Sequence, residues 1–177
     1  QLPPTTVWGY GTSAATASFP GATMEALRGI PITVRWTNNL PMTHLLDYAI
    51  DTTLHMAEWT EGVPTVVHLH GGEVEPQSDG GPDSWFTQGW AETGPGWYTE
   101  VYTYANDQLP TTLWYHDHVL GITRLNVYTG LAGFYGGDIV DSVVNVTGNM
   151  NIFKGFGDVT NLLLDVTGDV AEIIVLG

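Results

Sequence analysis

The residues best suited to chemistry are four histidines in two pairs, His68-Leu69-His70 and His116-Asp117-His118. They account for four of the six histidines in the 177-residue chain. In an extended strand, residues i and i+2 face the same side, so both imidazoles of a pair can reach one metal site. Imidazole suits copper, zinc, iron and nickel. With no thiolate at hand, a histidine-only site favours copper, with zinc as the alternative. The chain has no cysteine, which excludes disulfides, thiolate metal ligands and thiol catalysis. His44 and His55 stand alone in the sequence and read as structural.

Each pair closes a run rich in β-branched and aromatic residues, 65–70 (TVVHLH) and 112–116 (TLWYH). Similar runs lie at 32–36 and 99–104, and Gly-Gly, Pro-Gly, Gly-Pro and Asn-Asp steps separate them. Many short strands with turn signals between them predict an all-β sandwich or barrel. Segments 40–54 and 119–128 could each hold a helical turn or two. Trp85, Trp114 and Tyr115 read as packing, in the core or behind the ligands.

The composition changes near Gly136-Gly137. All seven Trp, eight Tyr, ten Pro and six His precede that point, and the rest is rich in Val, Leu, Ile, Gly and Asp. This predicts a domain over 1–137 and a β-rich acidic extension over 138–177. Within the extension, 143–149 (VVNVTGN) matches 163–169 (LLDVTGD) in residue type at a 20-residue offset. The expected structure there is a hairpin or meander, with a solenoid fragment or an intermolecular strand as alternatives.

Nineteen acidic residues against four basic ones give a net charge of −15, which excludes nucleic acid as a partner. At 43% hydrophobic the chain can bury a core. No stretch approaches the roughly 18 uninterrupted apolar residues of a membrane span. Gln1 in place of a Met fits a processed or a trimmed chain. Processing and the glycosylation sequon Asn145-Val146-Thr147 together point to an extracellular or periplasmic location.

Four segments carry a family resemblance. The runs 65–87 (TVVHLHGGEVEPQSDGGPDSWFT) and 112–135 (TLWYHDHVLGITRLNVYTGLAGFY) resemble the two copper-binding motifs in the N-terminal domain of multicopper oxidases. Segments 3–10 and 19–41 resemble the opening of the same domain, in the branch of bacterial spore-coat laccases and bilirubin oxidases. The likeness covers about 1–136 and implies a cupredoxin-like Greek-key β-sandwich. It implies copper, with His68 at a type 2 ion and His70, His116 and His118 at a type 3 pair. Asp79 matches an acidic residue placed near that cluster for proton delivery; its other reading is a turn residue before Gly80-Gly81. Asp117 should point away from the ligands as a structural or supporting group.

The departures from the family limit what the resemblance implies. The family's trinuclear centre takes four further histidines from another cupredoxin domain, and this chain has no third His-x-His. The type 1 copper needs a cysteine. The chain alone is therefore expected to be a copper-binding domain with half a trinuclear site, not a complete laccase. An O2-reducing oxidase would need a partner domain or subunit to complete it. The alternative expectation is an extracellular structural subunit, a homo-oligomer or filament assembling through its β extension, with metal vestigial or cross-linking. A mononuclear zinc or cupin-like enzyme explains fewer of these residues.

Overall fold

A computed structural model describes residues 4–55, 57–138, 163–165 and 170–176. The expected strand runs are strands. In chain order the described residues form β1 (Gly9–Gly11), β2 (Gly21–Leu27), β3 (Ile32–Asn39), β4 (Val67–His70), β5 (Val101–Tyr104), β6 (Thr112–Asp117), the helix α1 (Thr123–Tyr128), β7 (Ala132–Asp138), β8 (Leu163–Asp165) and β9 (Val170–Leu176). The helical turns expected in 40–54 and 119–128 are a 3-10 turn at Asp47–Ala49 and α1. Among the described residues no helix is long and apolar enough to cross a membrane.

The strands make two sheets, β1-β9-β3-β5 and β4-β6-β7-β2-β8. Period-two burial assigns each strand's inner face. In β3, Ile32, Val34, Trp36 and Asn38 are buried while Arg35 and Asn39 are exposed. Residues Tyr10, Val34, Trp36, Tyr102 and Tyr104 of one sheet share a single buried cluster with Met24, Leu69, Tyr115 and Tyr135 of the other. One core held between two sheets is a β-sandwich, the all-β class the sequence predicts.

Tyr115 joins the layers. Its ring lies 5.2 Å from Tyr10 and 5.7 Å from Trp36, and its hydroxyl donates to the Ala22 carbonyl at 2.7 Å. Gly133, its register partner on β7, leaves the room this ring needs: a Cβ there would come within 2.3 Å of the ring and its hydroxyl.

The strands of the extension belong to these same sheets. β8 pairs in parallel with β2 over Thr23–Glu25. β9 is internal, parallel to β3 over seven register pairs and antiparallel to β1 over three. The change of composition at residue 137 therefore does not mark where the sheets end. The repeat copy 143–149, the sequon at Asn145 and 166–169 lie outside the described residues.

Ile174 of β9 is paired on both sides, with Gly11 and with Thr37. Proline there removes a ladder N–H from a central strand and leaves a carbonyl unpaired, so Ile174→Pro is expected to cost about 1–3 kcal/mol. Denaturant unfolding measures it, and a loss below about 1 kcal/mol would show that β9 does not hold the sheet together.

Candidate metal centre

The register of β4 and β6 builds the site. The strands are antiparallel, with His68 opposite His116 and His70 opposite Trp114. Alternation along β6 sends Tyr115 and Asp117 into the core and leaves Trp114 and His116 on the other face. His118 follows directly, and its N–H bonds the Val66 carbonyl at 3.0 Å, which carries the pairing past the strand end.

All four histidines expected at the site come together. Ring centroids are 5.7 Å apart for His68 and His116, 5.4 Å for His70 and His116, and 5.7 Å for His116 and His118. His68 and His118 stack at 4.6 Å with 21° between planes.

Hydrogen bonds fix three of the four tautomers. The Nδ1 of His68 faces the Asp79 carbonyl at 2.6 Å, that of His116 the Asp117 carbonyl at 2.7 Å, and that of His118 the Gly80 carbonyl at 3.1 Å. A carbonyl can only accept, so each of these Nδ1 atoms carries the proton and each Nε2 keeps its lone pair. Locking the ring through its other nitrogen is how proteins orient imidazole ligands.

His70 differs, because its Nδ1 faces the bare Nε2 of His116 at 3.2 Å. Two nitrogens that far apart can share one ion at bonds of about 2.0–2.1 Å with an angle of about 100°. The donor set thus fits a metal of the imidazole-binding kind. Among the described residues no three of His, Asp or Glu are grouped as a single ion would need.

Burial governs the electrostatics. It pushes His116 down to about 4, and the neighbouring His68, His118 and His70 push the same way, against the bond to the Asp117 carbonyl. Burial also lowers His118. Neutral imidazole is the metal-binding form, so in the metal-free chain the His116 ring resonances should keep their neutral positions until the pH falls to about 4. The sign for stability follows. The unfolded state takes up the proton first, near the ordinary value of about 6.5, so the His116 contribution is intact above that and is lost as pH falls toward 4. A His116 midpoint near 6.5 by NMR would refute both statements.

Asp79 lies beside His68 by both its backbone and its side chain. It ends the 3-10 turn Pro76–Ser78 and holds His68 through its backbone carbonyl. Its carboxylate is 40% exposed and approaches His68 Nδ1 to 3.4 Å. Trp85 and Tyr115 are core residues. Trp114 is instead half-exposed, with its ring 4.1 Å from His116 and 5.3 Å from His70. His44 is buried against Trp8 at 4.7 Å, and His55 is exposed.

No family model matches the chain, but individual proteins do. The chain is 56% identical over 136 residues to multicopper oxidase LPR1 homolog 1 of Oryza sativa subsp. japonica, a match covering 76% of this chain and 23% of that protein. It is 48% identical over 138 residues to a laccase of Bacillus subtilis (strain 168), covering 76% and 26%. Over the matched three quarters the chain is similar to multicopper oxidases. It spans about a quarter of the length of the curated relatives it matches. A solved multicopper oxidase of Pseudomonas thermotolerans overlays it with a TM-score of 0.49 at 22% identity, over 75% of this chain and 24% of that one.

Proposed function

We propose that the chain is a copper-binding domain carrying half of a trinuclear site, with His68 serving a type 2 ion and His70, His116 and His118 a type 3 pair. The remaining ligands come from another domain of a longer polypeptide or from a partner subunit. The single observation that carries this reading is the four-imidazole face made by β4 and β6, with three rings locked at Nδ1 and open at Nε2. When bound, copper supplies one-electron redox chemistry and a place for O2. The chain's own residues hold the rings and cover two of them with Trp114. To Asp79 we assign proton delivery from solvent, supported by a carboxylate that is 40% exposed and 3.4 Å from His68 Nδ1. β8 and β9 pair within their own chain, which favours this reading over assembly by strand donation.

Titrating Cu(II) into the full chain tests the proposal. Electron paramagnetic resonance should show nitrogen coupling from imidazole, and copper should displace zinc, as expected for a site of this donor type. A chain that retains no copper after desalting would sink the reading. With no cysteine for an electron-accepting copper, the copper-loaded chain alone is expected to oxidise phenols no faster than free Cu(II). An oxygen electrode measures this, and turnover above that background would show that electrons enter by another route.

A further inference from the structure

Asp117 sits between two of the site's histidines, yet its side chain is turned into the core at 0% exposure. One carboxylate oxygen accepts the Val119 N–H at 3.0 Å. The other accepts the Thr65 hydroxyl at 2.9 Å and the Val66 N–H at 3.3 Å. These donors flank both histidine pairs. Thr65 and Val66 lead directly into β4, and Val119 directly follows His118. The carboxylate therefore ties together two segments about fifty residues apart in the chain, at the point where each presents its ligands.

A second buried group lies beside the carboxylate. Asn126 of α1 is near enough to favour its charged form. The Asn126 amide donates to the Pro64 carbonyl at 3.1 Å, and its oxygen accepts from His44 Nε2 at 2.8 Å. His44 Nδ1 accepts the Leu46 N–H at 2.8 Å, which places the ring proton on Nε2 and fixes the direction of the chain of bonds. His44, Asn126 and Asp117 thus form a buried series behind the sheet, on the side opposite the four imidazoles.

We infer that Asp117 is a positioning residue of the four-histidine site, setting the spacing between the β4 and β6 pairs through Thr65, Val66 and Val119. β4 lies at the end of its sheet and pairs with β6. The His70–His116 approach of 3.2 Å needs the two strands held to a fraction of an ångström. Beyond β4 the bond from the His118 N–H to the Val66 carbonyl continues the connection, and the carboxylate reinforces it there. The inference rests on the copper reading only for its second measurement below.

The test uses the full chain with Asp117→Asn, which places an amide donor against donors at one of the two oxygen positions. The first measurement is metal-free: ring-to-ring NMR contacts for His70–His116 and His68–His118, together with the protected Nδ1–H of His116 and His118. The second is Cu(II) affinity by chelator competition. Asp117→Asn is expected to lose the ring contacts and to bind copper 10–100-fold more weakly. Val34→Ala, a cavity in β3 remote from this network, should destabilise the fold yet keep both the contacts and the affinity. Thr65→Val removes one donor without changing shape and should shift both measurements in the same direction by less, which keeps the test decisive if Asp117→Asn does not fold. Wild-type ring contacts in either network variant, or an equal loss in Val34→Ala, would overturn the inference. Failure of the parent chain to take up copper would overturn the proposed function instead, while the ring contacts still report on positioning.

Discussion

Gly80→Ala is expected to lower the stability of the chain by about 3 kcal/mol or more and to release one ring from each histidine pair. Gly80 has φ +70°, where a side chain is strained, at a cost of order 1–3 kcal/mol. Steric overlap adds to that strain. A Cβ at this position would lie 1.9 Å from the Val67 carbonyl oxygen and 2.5 Å from its carbon, both of them backbone atoms of β4. The turn must then lift away from the strand. It holds His68 through the Asp79 carbonyl and His118 through the Gly80 carbonyl, so both Nδ1 bonds go with it. Urea unfolding gives the energy, and imidazole nitrogen spectra of the metal-free chain give the tautomers. A variant within about 0.5 kcal/mol of the parent, with both Nδ1–H signals retained, would show that the turn is not seated on β4 as described.

His116→Ala is expected to weaken Cu(II) binding by about 100-fold or more, beyond the 10–100-fold typical of groups that only support a ligand. His116 neighbours all three of the other rings, and its Nε2 is the atom His70 approaches at 3.2 Å. Its low affinity for protons keeps it in the ligand form across the neutral and mildly acidic range. Trp114 loses the ring it packs against, so its fluorescence should change in the variant even without metal. His55→Ala is the control, because His55 is exposed and stands apart from the four-ring cluster. Competition with a chelator of known affinity measures both variants. Equal affinities in the two would remove His116 from the site.

The four ligand candidates were legible because their signal is local. A His-x-His step inside a β-branched run needs only the period of a strand to put two rings on one face, and the same period sends Asp117 the other way. Which strand lies beside which is not local. Nothing near His44 in sequence shows that it will meet Asn126, 82 residues later. The Thr65–Asp117 bond likewise crosses 52 residues. Trp114 was ambiguous because an aromatic residue in a strand is usually core, and only the register with His70 places it on the site face. The role of Asp79 lay partly in its backbone carbonyl, which side-chain chemistry cannot reveal. In the last segment, composition marks a change of residue type at 137. The insertion of β9 between β1 and β3 is set by parallel pairing across the whole length of the chain, which no pattern within the segment encodes.

The two-faced character of β6 has a consequence for quality control. Tyr115 seals the sandwich on one side, and His116, one residue on, joins the four-imidazole cluster on the other. A slip of a single residue against β4 and β7 would drive an imidazole into the aromatic core and leave the phenol outside. A one-residue slip could not keep the interior while losing only the histidine face, or keep that face over a faulty interior. If the four-imidazole face takes up copper as proposed, uptake becomes a readout of correct assembly, and an assay that selects for it selects at the same time for chains folded in register.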